Sequence, residues 1–492
     1  MNGSNNRLSG NALHHMMDGF SSFIVAHPPV QDILRWLVQE DGSGQSPLSN
    51  LFQHYSAGNQ VDGERLKYLL PFFSLDLLNW ISGITKEYAI EKMYSRKFVT
   101  SAIIHAIRSI AEKGITKPQQ FVSPVLVVWN FTQRCNLACS HCYQNAGKQA
   151  RDELNLKEKL LLIEQLADLK VPLIALSGGE PMLGPHFWTV LDHLGKRNFH
   201  VSVATNATLI DKRKAGRMAE RGVDYVQVSL DSVHPAKHDA FRGKGCWKAT
   251  VRGIRNLVAQ DGVEVGIAST ITRDNLDELE DLIRLSIDLG CDYFYTYNFI
   301  PVGRGRDMVE KDLSPEERER MFDICYKYFG QIDFGSTAPQ MIRRCMELSG
   351  PEGRTLSSHL AAEMGGRFGK NFGMIFGGCG CGRVYCTVQP NGIVTPCVYM
   401  PIPVGDLRKQ RFIDIWNTTE CFEIFKDRDD RTGHCLTCDF KYHCGGCRAR
   451  AYAYFGDYRA SDPGCKFNED LWHALNAHTV LHPAPDVHCN MD

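Results

Sequence analysis

Six short apolar runs punctuate the middle of the chain: VLVVWNF (125–131), PLIALS (172–177), HVSVAT (200–205), YVQVSL (225–230), VEVGIAST (263–270) and YFYTYNFI (293–300). Each is rich in β-branched or aromatic residues and short enough for a buried strand. Between them the apolar residues recur at helical spacing over Leu156–Leu169, His186–Lys196, Asp211–Arg221, Thr250–Gln260 and Leu276–Leu289. Strands alternating with helices predict parallel strands joined by right-handed crossovers. Six such units predict an α/β fold, a partial (β/α)6 TIM-like barrel shorter than the eight-unit form. Functional residues are then expected on loops at the C-terminal ends of the strands.

The flanks read differently. Residues 1–120 form a helical region with no assigned role, preceding the barrel at 121–310. Its most apolar stretch is 68–84, a candidate membrane contact in which Pro71, Asp76 and Asn79 sit awkwardly for lipid. Residues 311–374 read as a helical bridge, where Ser314 and Glu317 have capping-box spacing. Residues 375–470 are rich in Gly and Cys, the composition of a small α+β domain that relies on metal for its stability. A tail, 471–492, carries His473, His478, His482, His488 and Cys489 and reads as solvated chain.

Charge narrows the function. In 492 residues, 55 Lys and Arg face 56 Asp and Glu, a balance that argues against a nucleic-acid binder. No apolar run is long enough to cross a bilayer as a helix, and MNGSNNRLSG lacks a signal-peptide pattern. Cysteine says more: none of the 18 lies before Cys135, and 11 fall between Cys379 and Cys489. Clustered thiols in a large chain predict cytoplasmic metal-binding thiolates rather than disulfides.

FTQRCNLACSHCYQNAG sets Cys135, Cys139 and Cys142 on a tight loop after the first strand. Three thiolates there can hold three corners of a cubane iron–sulfur cluster, leaving one iron open to a substrate or cofactor. Tyr143 is placed to shield it. This segment resembles the signature loop of radical S-adenosylmethionine (AdoMet) enzymes. The resemblance implies a [4Fe–4S] cluster whose open iron chelates AdoMet and cleaves it to a 5′-deoxyadenosyl radical. It further implies that SGGEP, with Gly178, Gly179 and Glu180, binds the amino group of AdoMet. Ser229 and Asp231 in SLDS would contact ribose and methionine carboxylate, and IPVGRG (300–305) would form the adenine-side turn. From the residues themselves, Asn206 after the third strand is a hydrogen-bonding candidate and Arg242 a carboxylate partner. His234 and His238 read as loop residues, Arg304 as facing solvent or substrate, and Cys246, Cys291, Cys325, Cys345 and Cys421 as incidental thiols.

The second cysteine group comprises Cys379, Cys381, Cys386, Cys397, Cys435, Cys438, Cys444, Cys447 and Cys465. Asn391-Gly392 between them reads as a hairpin turn, and Cys386 as a core position. Taken alone, Cys435-x2-Cys438-x5-Cys444-x2-Cys447 also suits one zinc. The order resembles the SPASM extension of radical enzymes, which implies one or two auxiliary [4Fe–4S] clusters. By that resemblance Cys435, Cys438, Cys444 and Cys465 hold one, and Cys397 and Cys447 join Cys379, Cys381 or both in the other. The two-residue gap between Cys444 and Cys447, where three is commoner, leaves the allocation open. The closing segment CGGCRARAYAYFGDYRASDPGC is similar to that of radical enzymes of the alternative heme and heme d1 pathways, with Arg448 and Arg450 as partners for substrate carboxylates.

Three functions are therefore weighed. One is hydrogen abstraction from an iron-tetrapyrrole side chain. A second is maturation of a peptide or protein. The third is a non-catalytic iron–sulfur or zinc protein. The enzymatic readings imply a low-potential electron donor such as ferredoxin or flavodoxin and an anaerobic cytoplasm.

Overall fold

The computed structural model describes residues 27–42, 44–57, 71–76, 79, 84–350, 355–356, 363–364, 373, 375–418 and 420–478. Most of the 68–84 stretch and the tail residues His482, His488 and Cys489 lie outside the described residues. So does the side chain of Cys421.

All six expected strands form: β1 Leu126–Thr132, β2 Leu173–Gly178, β3 His200–Thr205, β4 Tyr225–Ser229, β5 Glu264–Ile271 and β6 Tyr293–Asn298. They pair in sequence order, all parallel. The expected helices lie between them at Leu156–Asp168, Phe187–Gly195, Lys212–Ala219, Cys246–Val258 and Leu279–Asp288. Asn155 and Glu158 close a capping box on the first of these, and Asp211 caps the third through the Lys214 N–H. The pleat sends alternate side chains to opposite faces. Ile174, Leu176, Val201, Val203, Val226 and Val228 point outward under the helices and are at most 1% exposed. The alternate residues of β2 and β3 face the barrel interior: Leu173 and His200 at the strand starts, then the small Ala175, Ser177, Ser202 and Ala204.

Two features extend the sheet beyond the sequence reading. The segment 311–374 contains not only the helices Pro315–Lys327 and Gln340–Ser349 but also β7, Asp333–Ser336, parallel to β6. Four residues between helices carry too little alternation to announce a strand. After a two-stranded ribbon of β8 Thr355–Leu356 and β9 Glu363–Met364, β10 Tyr385–Val388 returns to pair parallel with β1. β11 Ile393–Thr395 and β12 Gly405–Asp406 follow antiparallel, turned at Asn391-Gly392. The Cys-rich region is thus stitched to the barrel by main-chain hydrogen bonds, which give the edge groups of β1 the partners they need. Ser314 and Glu317 form their capping box.

The helix Lys97–Lys113 closes the opposite end of the barrel. Arg96 donates to Tyr293 Oη at 3.0 Å and to Asp333 at 2.7 Å, Lys97 donates to the Phe199 carbonyl, and Phe98 meets the His200 ring. All four partners stand at the starts of strands, so this helix is the barrel floor. No described helix is long and apolar enough to cross a membrane.

His105 on this helix is 1% exposed, with Nε2 2.8 Å from the Ser123 carbonyl oxygen. Burial pushes its pKa down to about 4. The unfolded chain takes up a proton below about pH 6.5 that the folded site refuses. This group therefore leaves stability intact above pH 6.5 and erodes it as pH falls toward 4, by about 3 kcal/mol in full. We expect urea unfolding at pH 7 and pH 4.5 to show that loss, and His105→Gln to reduce it. Equal pH dependence in the variant would assign the loss to other groups.

Candidate active site

The loop leaving β1 carries Cys135, Cys139 and Cys142 and is held from three sides. Glu153 accepts from the Gln133 N–H at 2.8 Å and from Thr132 Oγ1 at 3.0 Å. The SGG segment after β2 packs against it: Gly179 N–H donates to the Thr132 carbonyl at 2.8 Å, and Glu180 N–H to the Arg134 carbonyl at 2.7 Å. A Cβ on Gly179 would run into the Arg134 carbonyl oxygen, so only glycine permits this approach. The turn after β6 holds the far side. Arg304 donates from Nε to the Cys139 carbonyl and from Nη1 to the Ala146 carbonyl, both at 2.8 Å. Arg304 is therefore a clamp on the cysteine loop, not a solvent-facing residue.

All three cysteines line one cavity of ≈ 140 Å³. Gly178 at the end of β2 and Gly179 after it, Asn206 after β3, Ser229 at the end of β4 and Arg242 line the same cavity. Asn206 is oriented by its neighbours: its amide donates to Asn136 Oδ1 at 3.0 Å, and its Oδ1 accepts from the Thr208 N–H at 3.0 Å. Tyr143 also borders the cavity, stacked edge-on against Tyr399 at 5.1 Å.

Two expected ligands stand behind the wall instead. Glu180 is 0% exposed and does not line the cavity; its carboxylate accepts from Thr205 Oγ1 at 2.9 Å and from the Asn206 N–H at 3.0 Å. Burial pushes its carboxyl up to about 7. Asp231 is 2% exposed and receives a two-pronged contact from Arg242, plus the Thr270 N–H at 2.8 Å. Burial pushes this carboxyl upward, but the Arg242 guanidinium outweighs it and holds the pKa at about 2. Glu180 thus orients Asn206, and Asp231 orients Arg242. His238 is buried and accepts the Asp231 N–H at Nδ1, 3.2 Å away.

Asn298 escaped the sequence reading. It ends β6, is 1% exposed and borders the cavity. Its Oδ1 accepts from Arg318 and Arg450, which have only donors to offer. Its Nδ2 is left without a partner among the described residues. The available signal was a lone amide at the C-terminal end of an aromatic strand. Arg448 and Arg450, read as partners for substrate carboxylates, are committed elsewhere. Arg448 donates to the Tyr458 and Ala460 carbonyls at 2.8 Å, and Arg450 lies against Asn298, Asp312, Asp462 and the Phe299 carbonyl. Both are at most 1% exposed.

The C-terminal cysteines gather in two sets. The Cys444 thiol feels Cys465 and Cys435, and Cys438 feels Cys435. In the other set Cys381 lies within hydrogen-bonding range of Cys379 and Cys397, and Cys447 feels Cys379. Tyr385 Oη donates to Cys397 Sγ at 2.9 Å. Cys386 is 0% exposed in β10, a core position, and Cys246, Cys291, Cys325 and Cys345 are buried thiols. Burial pushes Cys135 up to about 11 and raises Cys447, so these thiols ionise only beside a cation. A cubane takes its thiolates on separate irons, and the three cysteines that one loop brings to one cavity, Cys135, Cys139 and Cys142, fit that group.

A parallel βα barrel with a three-cysteine loop, glycine turn and basic pocket at its C-terminal mouth defines a radical AdoMet enzyme. Residues 129–286 match the Radical SAM superfamily and residues 379–439 the SPASM iron–sulfur cluster-binding domain. The chain is 31% identical to an AdoMet-dependent heme synthase of Nitratidesulfovibrio vulgaris over 349 residues, 70% of this chain and 92% of that one. It belongs to the radical SAM superfamily and is an enzyme of its SPASM-bearing kind. It is 29% identical to the mycofactocin maturase MftC of Mycolicibacterium smegmatis over 353 residues, 70% of this chain and 83% of that one. The fold is shared with Streptococcus suis SuiB bound to its precursor peptide SuiA, at TM-score 0.59 and 17% identity. That match covers 86% of this chain and 93% of SuiB.

Proposed function

We propose that this enzyme abstracts hydrogen from a side chain of an iron-tetrapyrrole and thereby serves the synthesis of a heme-type cofactor. The carrying observation is that loops from four consecutive strands bring Cys135, Cys139, Cys142, Gly178, Gly179, Asn206, Ser229 and Arg242 to one cavity. The tetrapyrrole is supported by the likeness to the heme synthase over 349 residues, 70% of this chain. A [4Fe–4S] cluster on Cys135, Cys139 and Cys142 with AdoMet bound supplies the 5′-deoxyadenosyl radical. Gly178 and Gly179 offer backbone to the amino acid end of AdoMet, Arg242 receives its carboxylate, and Asn206 and Ser229 hydrogen-bond beside it. Tyr143, Tyr399 and Phe299 exclude water around the reacting atoms. On this reading Cys435, Cys438, Cys444 and Cys465 hold one auxiliary cluster and Cys379, Cys381, Cys397 and Cys447 a second, an allocation supported by the grouping of these cysteines into two sets. Ferredoxin or flavodoxin supplies the electron.

Anaerobic reconstitution tests this reading. We expect about 12 irons per chain, four for each of three cubanes. Iron-coproporphyrin III should raise 5′-deoxyadenosine formation at least about tenfold, a gain of about 1.4 kcal/mol in barrier lowering, with a matching change in tetrapyrrole mass. Deoxyadenosine formed at one rate with and without tetrapyrrole would shift the assignment to peptide maturation, the reading favoured by the likeness to MftC. Stoichiometric zinc without deoxyadenosine would end both.

A further inference from the structure

Buried arginines in this chain differ in what answers their charge. Arg318, Arg343 and Arg450 are each at most 1% exposed, and each has a carboxylate beside it: Asp312, Glu319 and Asp462 respectively. Arg428 and Arg448 are equally buried, at 1%, and neither forms an ion pair with a carboxylate among the described residues. Arg428 donates from Nη2 to the Cys379 carbonyl at 3.0 Å and from Nη1 to the Lys441 carbonyl at 3.4 Å. Arg448 donates from Nη1 to the Tyr458 and Ala460 carbonyls at 2.8 Å and from Nε to the Gly446 carbonyl at 3.2 Å. Carbonyls satisfy the N–H groups but leave the charge unanswered, and an uncompensated buried cation is costly. Asp462 acts on Arg448, but it already serves Arg450 at 3.7 Å and the Cys447 N–H at 2.7 Å.

The position of the two guanidiniums shows what can answer them. Cys444 belongs to one C-terminal cysteine set and Cys447 to the other, and only Gly445 and Gly446 separate them. Both guanidiniums lie on this short span. A Cβ on Gly445 would land on Arg428 Nη1, and one on Gly446 would meet Arg448 Nη2 and Cys435 Sγ. Glycine at both positions makes room for the cations between the sets. Arg448 Nη2 stands 3.8 Å from Cys435 Sγ. Arg428 is within electrostatic reach of Cys379 in one set and of Cys435 and Cys444 in the other. Arg448 is within reach of Cys435 on one side and of Cys379 and Cys447 on the other.

We propose that Arg428 and Arg448 are the shared counter-charge of the two auxiliary clusters and raise the reduction potential of both. The inference rests on the two-cluster reading above and deepens it. An oxidised cubane on four thiolates carries two negative charges, and a third once its core takes up one electron, with no bond or proton exchanged. Fixed cations favour the more negative state, and in a buried site little solvent screens them. An electron entering either cluster is therefore stabilised by the same pair. Neither arginine borders the AdoMet cavity, so both are positioning residues that act through the clusters.

The test reads potentials, not turnover. It is run in a Cys139→Ala background, so that the cubane of the first loop is absent and about eight irons remain. Anaerobic titration with titanium(III) citrate and redox mediators, followed by electron paramagnetic resonance, gives the potential of each C-terminal cluster. We expect Arg428→Gln and Arg448→Gln each to lower both potentials, by about tenfold or more in the one-electron equilibrium constant, which is about 59 mV. Arg428→Lys and Arg448→Lys keep the charge and should hold the parent potentials. Lys409→Gln removes an exposed cation of the same region and should shift neither. Unchanged potentials in both glutamine variants, a shift confined to one cluster, or an equal fall in the lysine variants would each overturn the proposal. Should the glutamine variants lose the C-terminal iron, its return in the lysine variants would again assign the role to charge. Its loss there too would make these side chains structural and overturn the proposal. Metal analysis of the parent separates this inference from the reading beneath it. About eight irons with unshifted potentials sink the inference and leave two clusters standing, whereas about four irons, or stoichiometric zinc, sink the two-cluster reading itself.

Discussion

Replacing Cys139 with alanine is expected to abolish cleavage of AdoMet while the C-terminal iron stays bound. The Cys139 side chain is 9% exposed and borders the cofactor cavity, whereas its backbone belongs to the scaffold. Arg304 grips the Cys139 carbonyl at 2.8 Å, and Ser140 N–H donates to the Phe241 carbonyl at 3.1 Å. Neither contact involves the sulfur, so the loop keeps its path in the variant. What disappears is one of three thiolates. A cubane on two protein ligands is not retained, so about four irons should be lost, one cluster's complement. Deoxyadenosine should fall to background, about 10³-fold or more, equivalent to about 4 kcal/mol in the barrier. Iron analysis and product quantification under anaerobic conditions read both numbers. Cleavage persisting at a tenth of the wild-type rate would remove this loop from the chemistry.

Asp312→Asn carries the largest expected cost in stability. Asp312 is 0% exposed and lies where the barrel, the bridge and the Cys-rich region meet. Its carboxylate accepts from Arg318 at 2.9 Å and from Tyr454 Oη at 3.0 Å, and lies 3.3 Å from Arg450. Removing the charge leaves two buried guanidiniums, both at most 1% exposed, sharing Asp462. Breaking a buried pair from one side costs about 3–5 kcal/mol, because the surviving charge stays buried. Urea unfolding followed by tryptophan fluorescence should show that loss. The same guanidiniums hold Asn298 at the cavity wall, so AdoMet should also bind more weakly. An apolar exchange of both partners, Asp312→Leu with Arg318→Met, should recover part of the stability and none of the affinity. If the single variant is as stable as the parent, the cluster is not the joint between these regions.

The barrel was legible because its signal is local. Each strand and helix announces itself within about ten residues through the period of its apolar positions, and all six expected strands and their helices form. β7 and the pairing of β10 with β1 were not legible. The first is four residues long, and the second joins segments more than 250 residues apart through backbone groups that no side-chain pattern encodes. The site divides in the same way. Gly178, Gly179 and Ser229, named from their motifs, and Asn206 and Arg242, named from their chemistry, all line the cavity. Glu180 and Asp231, one and two residues beyond cavity-lining positions, turn inward to Thr205 and to Arg242. A motif fixes which residue types gather at a strand end; the path of the turn decides which side chain faces the ligand.

The chain by itself therefore determined the alternation of strands and helices, the number of clustered thiols and the place of the first cysteine loop, since all of these depend on spacing within short segments. Only the tertiary structure decided which carboxylates stand behind the cavity wall and which groups line it, that Arg448 and Arg450 are internal, and that Ala175, Ser177, Ser202 and Ala204 line a cavity inside the barrel. Those outcomes depend on what lies across from each side chain. In a barrel that neighbour is supplied by a strand or loop far away in sequence.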